Sequence, residues 1–181
     1  MLELNIPDNE LWNEEINEFI SVKGITLKLE HSLVSLQKWE SKWNKPYLTK
    51  EPKTYEENID YIRCMTLNNH VDPMVYYFLT EEDIKKINAY VEAPMTATTF
   101  NTQENNKGIR KEQVTAELVY YWMIALNIPY EYRKWHLNQL LTLINVCSIK
   151  NAPPKKRSKA DIMRRNTALN AARRRRLNSR G

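Results

Sequence analysis

Three histidines, two cysteines and a few paired acids are the residues of this 181-residue chain whose types permit catalysis or metal binding. His31, His70 and His136 are scattered, and none stands beside a cysteine or an acid pair at the spacing that a metal site or a nucleophile and its base require. Each reads as a structural or surface histidine. Cys64 and Cys147 lie in apolar, helix-like contexts and read as buried free thiols. Glu14-Glu15, Glu56-Glu57 and Glu81-Glu82 fall at or near expected helix starts, where a carboxylate offsets the helix dipole. The chain has no glycine-rich phosphate loop and no nucleophile elbow. The expected role is therefore non-enzymatic, with no catalytic residue, metal site or cofactor implied.

Two other sets of residues have the chemistry of binding. Five tryptophans and ten tyrosines gather at Trp39/Trp43, Tyr76/Tyr77, Tyr120/Tyr121/Trp122 and Tyr130/Tyr132/Trp135. Aromatic rings with a polar handle suit a surface that must bind apolar partners and stay soluble, which makes Trp39, Trp43, Tyr121, Trp122 and Trp135 a candidate protein-binding surface. Their helical spacing favours the competing reading, plain core packing. The second set is Lys155, Lys156 and Arg157 with Arg173, Arg174, Arg175 and Arg176. Eleven basic residues and one acid give residues 151–181 a net charge of +10, against +5 for the whole chain, so the first 150 residues carry −5. Such a segment can neutralise phosphates of a nucleic acid, or it can contact an acidic protein surface, including this chain's own body or a neighbouring copy. Without aromatics interleaved for base stacking, nucleic acid is the less favoured partner.

The elements that position these residues follow from pattern and punctuation. With 42% hydrophobic and 27% charged residues, the composition is that of a single globular domain over residues 1–150 followed by a basic tail over 151–181. Only three glycines favour helix over sheet. The longest apolar run, near Val119 to Leu126, is far short of the roughly 20 residues that span a bilayer, and the acidic N-terminal stretch lacks a signal-peptide layout, so an intracellular protein with no membrane partner is expected. The expected fold class is mainly α (α+β): a helical core, a small N-terminal antiparallel β-hairpin or sheet within about residues 1–30, and a basic C-terminal helical tail.

In detail, Leu2, Leu4 and Ile6 alternate with polar residues, and a second extended region from Phe19 to Leu29 breaks at Lys23-Gly24, which predicts two or three strands with a hairpin turn at Gly24. Ser32 is a predicted N-cap for a helix with the stripe Leu33, Leu36, Trp39 and Trp43. Thr54 with Glu57 forms a predicted capping box, Asp72-Pro73 starts a short helix, and Thr80 with Asp83 caps another that Pro94 closes. Met95 to Phe100 has strand propensity, and 101–111 reads as an exposed loop. Leu118 to Cys147 is the most hydrophobic long stretch and is expected to be a helical hairpin around which the rest packs. Its first helix should stop near Asn127, and a second carrying Tyr132, Trp135, Leu140, Ile144 and Cys147 should begin just after Pro129. Ser158 with Asp161 predicts a last basic helix reaching about Leu177.

The stretches HSLVSLQKWESKWNKPYL (His31 to Leu48), YIRCMTL (Tyr61 to Leu67), MTATTF (Met95 to Phe100), YYWMIALNIPYEYRKWHLNQLLTLINVC (Tyr120 to Cys147) and ALNAARRRRLNSRG (Ala168 to Gly181) resemble the tail assembly chaperones of long-tailed bacteriophages. The resemblance implies a protein that coats the hydrophobic, helical tape-measure protein and yields it as tail-tube subunits polymerise around it. It also implies a place in the host cytoplasm during assembly, absence from the finished virion, and a surface used for client capture or for self-association. No residue-level site comes with it. The alternative, which keeps the phage context that the resemblance implies, is a structural virion protein or a nucleic-acid-associated phage protein acting through its basic tail.

Overall fold

The alternation of Leu2, Leu4 and Ile6 builds β1 (Leu2–Ile6), whose partner is β4 (Ile25–Leu29). In this computed structural model, which describes residues 1–13, 17–100, 113–152 and 159–177, a further strand β2 (Asn9–Asn13) pairs with β3 (Glu18–Val22). Both ladders are antiparallel and keep one register: Leu2 faces Leu29, Ile6 faces Ile25, Asn9 faces Val22 and Asn13 faces Glu18. They form a single ribbon interrupted where Pro7 and Asp8 come opposite Gly24 and Lys23. Proline has no N–H to donate to a ladder, and the interruption falls there.

The hairpin expected at Gly24 is thus replaced by something else. β3 and β4 belong to different ladders, and each pairs with a strand from the first thirteen residues. Gly24 is needed for proximity rather than for turning. A Cβ placed on it would sit 2.7 Å from both the Asp8 nitrogen and the Ile6 carbonyl oxygen, closer than real Cβ atoms come to backbone. Its N–H donates to Asp8 Oδ1 at 2.6 Å, so a side chain takes the donor that the broken ladder leaves over.

Helix α1 (Leu33–Trp43) starts at Ser32, whose hydroxyl accepts from the Ser35 N–H while Ser35 Oγ accepts from the Ser32 N–H. It ends at Asn44, in the left-handed region at φ 53°. Helix α2 (Tyr55–Met65) opens on the predicted Thr54/Glu57 capping box, and α3 (Glu81–Glu92) on Thr80/Asp83. Between them Asp72 caps a 3-10 helix, Pro73–Phe78. Met95 to Phe100 forms no strand, contrary to its propensity; a strand needs a neighbour to pair with, and this segment has no ladder partner among the described residues. The loop expected at 101–111 lies outside the described residues.

Helix α4 (Ala116–Ala125) stops as proline logic requires, through a Schellman arrangement in which Ile128 N–H donates to the Met123 carbonyl at 2.8 Å and Asn127 turns left-handed at φ 53°. The second helix of the expected hairpin starts later than Pro129 suggests. Tyr130–Lys134 is a 3-10 helix, Trp135 is extended, His136 bridges to Ser32, and only then does α5 (Leu137–Asn151) begin. The cause is a competing backbone partner: Leu137 N–H donates to the His31 carbonyl at 2.7 Å. Tyr132 and Trp135 therefore precede α5 instead of lying on it.

Two apolar clusters form the core. One joins the ribbon, α2, α3 and Trp39; the other joins Leu33 and Leu36 to Ala116, Val119 and Met123 of α4 and to Leu137, Leu140 and Ile144 of α5. Helix α1 belongs to both. The two clusters are organised around α1, and the apolar α4–α5 stretch packs on one of its sides. The fold is mainly α with a small antiparallel β element. It comprises two units, Met1–Ser148 and Ile149–Gly181, the second containing α6 (Lys159–Leu177). No helix among the described residues is long and apolar enough to cross a membrane.

Gly24→Ala should lower the unfolding free energy by on the order of 2 kcal/mol, the usual cost of forcing extra atoms into a packed place. Chemical denaturation measures it, and an unchanged midpoint would show that the two backbones are not held this close.

Candidate protein-binding surface

Of the five aromatic candidates, two are claimed by the core. Trp39 is 1% exposed, packs edge-on against Tyr47 at 5.1 Å, and donates its indole N–H to the Glu57 carbonyl at 2.9 Å. It cannot be a contact surface, which corrects its candidacy. Trp43 is half-buried and donates to Asp60 Oδ2 at 2.9 Å, with Lys42 bonded to the other oxygen of the same carboxylate. Its ring is tied to α2. Both assignments follow from helical spacing: positions 39 and 43 share a face of α1, and that face meets the Glu57 and Asp60 side of α2.

The other three lie on and after α4. Its inward stripe is Ala116, Val119 and Met123, with Trp122 half-buried beside it. On the outer face Tyr121 is 63% exposed and Ile124 76% exposed, three residues apart and hence neighbours on the helix surface. Tyr120 donates to Gln37 Oε1 at 3.0 Å and brings its ring within 6.1 Å of the exposed Tyr130. The Arg133 guanidinium lies 4.0 Å over Tyr130 and donates to its hydroxyl. Trp135, 37% exposed, stacks on Tyr132 with ring centroids 4.0 Å apart. Helix α4 is therefore apolar inside and partly apolar outside. Sequence pattern missed Ile124, because an isoleucine in a continuous apolar run carries no mark of which way it faces. A second exposed pair, Trp12 and Phe19, faces across the β2–β3 ladder with rings 4.9 Å apart. The shared register of the ribbon was the missing signal.

The basic candidates divide likewise. Arg173 to Arg176 lie exposed in the last turns of α6, and Lys155, Lys156 and Arg157 lie outside the described residues. Comparison with protein families, curated proteins and solved structures gives no match.

The ionisable groups that folding brings together hold the frame. Glu40, buried on α1, accepts from the Tyr47 N–H at 2.8 Å and from the Ala116 N–H, at the start of α4, at 2.7 Å. Burial raises its carboxyl above the usual range, and these two donors work against that rise. His31 and His136, 105 residues apart in sequence, stand with ring centroids 5.1 Å apart. His31 Nδ1 shares a 2.6 Å hydrogen bond with the Tyr61 hydroxyl. His136 Nδ1 accepts from the Asn138 N–H and its Nε2 bonds the Tyr90 carbonyl at 3.0 Å; a carbonyl only accepts, so the proton is on Nε2. Burial, and then the neighbouring His136, lowers His31 from the ordinary 6.5 to about 4, and burial lowers His136 as well. Cys64 and Cys147 are free and half-buried rather than buried; burial pushes the Cys64 thiol up to about 11, which keeps it protonated and unreactive. Among the described residues no group of three His, Cys, Asp or Glu is arranged to hold a metal ion.

Glu40→Ala leaves one buried and one part-buried N–H group without an acceptor and should cost on the order of 3 kcal/mol in urea denaturation. The histidine pair sets a pH dependence of definite sign. Below about pH 6.5 the unfolded chain takes up a proton on His31 that the folded chain refuses until about pH 4. Stability should therefore fall through that window, by about 3 kcal/mol from His31 alone. Denaturation midpoints that stay level from neutral pH down to the lower end of that window contradict a neutral, buried pair.

Proposed function

We propose that this chain is a tail assembly chaperone of a long-tailed bacteriophage. It binds the tape-measure protein and tail-tube subunits in the host cytoplasm while the tail forms, and is left out of the virion. The observation that supports this is the outer face of α4, where Tyr121 and Ile124 stand in solvent on a helix whose other face is already buried. Covering a side chain of this size is worth roughly 1.5–3 kcal/mol. Two such groups left exposed represent affinity held for a partner, yet too little to hold it irreversibly. A chaperone that must release its client needs contacts of that order, moderate and displaceable. The sequence resemblance points the same way, and no covalent step is required of any residue.

Co-expression with the tape-measure protein of the same phage tests the proposal. The chain should keep that protein soluble and co-purify with it, and the double variant Tyr121→Asp/Ile124→Asp should fold normally but retain at least about tenfold less client, the equivalent of about 1.4 kcal/mol. Failure of the unaltered chain to associate at low salt, together with its presence in purified virions, sinks the proposal. Equal client retention by the variant moves the binding surface elsewhere.

A further inference from the structure

Helix α6 is a surface of a different kind from α4. Its 19 residues hold Lys159, Arg164 and Arg165 towards one end and the run Arg173 to Arg176 at the other, with Asp161 as the only acid, a net charge of +6. Every side chain described in it is exposed. Its apolar residues build no docking stripe, because the face that carries Ile162 and Leu169 is interrupted by Asn166 and Arg173, at four- and seven-residue steps on the same side. Such a helix offers a core no continuous apolar face, and its charge is complemented by a polyanion.

Which polyanion follows from the geometry of the arginine run. At 3.6 residues per turn, four consecutive residues encircle the helix, so Arg173 to Arg176 project in all directions. A protein surface is one-sided and would meet about half of them. Protein interfaces are also depleted of charge at their centres and built on apolar anchors, and α6 offers no such anchor stripe. The major groove of duplex DNA is about 12 Å wide, accepts an α-helix, and places a phosphate backbone on each side of it. All but one of the cations are arginine, whose planar guanidinium bonds phosphate through two parallel N–H groups. With no aromatic ring in the helix, stacking on unpaired bases is excluded, which disfavours a single strand and leaves the duplex, whose phosphates need only charge.

We propose that α6 is a DNA-binding helix that lies in the groove of duplex DNA and contacts its phosphates without reading sequence. This goes beyond the chaperone role and uses none of the α4 surface.

The full-length chain is titrated into fluorescently labelled duplex DNA of mixed sequence, about 20 bp long, between about 50 and about 200 mM salt. Binding should weaken steeply and linearly on logarithmic axes. Replacing Arg173 to Arg176 by Gln, which retains helix propensity, should reduce that slope by about 3 to 4, since each phosphate contact contributes about 0.9. The same variant should still co-purify with the tape-measure protein, which separates a failure here from a failure of the chaperone proposal. No binding at the lowest salt, or a slope the variant leaves unchanged, overturns the inference. So does displacement of the DNA by polyglutamate at equal charge, which would make an acidic protein the partner; displacement by single-stranded RNA alone would exclude the duplex groove.

Discussion

A buried stretch of backbone must find partners for its N–H and C=O groups, and the segment from Leu29 to Ser32 finds them in parts of the chain that are far apart. Lying between β4 and α1, it receives Leu29 and Glu30 against Met65 and Thr66 on one side, and His31 and Ser32 against His136 and Leu137 on the other. These few bonds decide where α2 stops and α5 starts. They also place His31 and His136 together, since each ring belongs to a residue of the same pairing. Both histidines stay neutral because the pairing is buried.

Helix α1 extends that organisation. It continues directly from Ser32, gives Leu33 and Leu36 to one apolar cluster and Trp39 to the other, and carries in Glu40 an acceptor for the first turn of α4. A buried carboxylate is costly unless its lone pairs are used, and here the charge is met by backbone donors rather than by a cation. With α4 held at its start by Glu40 and packed along Val119 and Met123, its outer residues are fixed in place without being covered. Surface and scaffold are two faces of the same short helix.

Local chemistry was legible in the sequence. The Ser32, Thr54, Asp72 and Thr80 caps act over two or three residues, and each is present where its pattern stands. What depended on distant partners was not. Gly24 looks like a turn until Pro7 is known to lie across from it; the start of α5 looks like Pro129 until His31 is known to compete for the Leu137 N–H; Met95 to Phe100 looks like a strand, but no strand pairs with it among the described residues. Which aromatic candidates are buried and which stay exposed follows the same rule. Periodicity tells that Trp39 and Tyr121 lie on helices, while the neighbours that bury one and leave the other bare are supplied by α2 and α5.

The single register that runs from Leu2 opposite Leu29 to Asn13 opposite Glu18 has an effect on what the gene can tolerate. Side chains alternate faces along a strand, so removing one codon between Leu2 and Asn13 would send every residue between the deletion and Leu2 to the wrong side of its partner. Leu4 and Ile6 would meet solvent, or Trp12 would turn away from Phe19. A deletion in one strand can be rescued only by a matching deletion in the other. Relatives of this chain should accordingly vary in length between Asn13 and Glu18, or by paired losses, and keep the spacing of Pro7 and Gly24 constant about the middle of the ribbon.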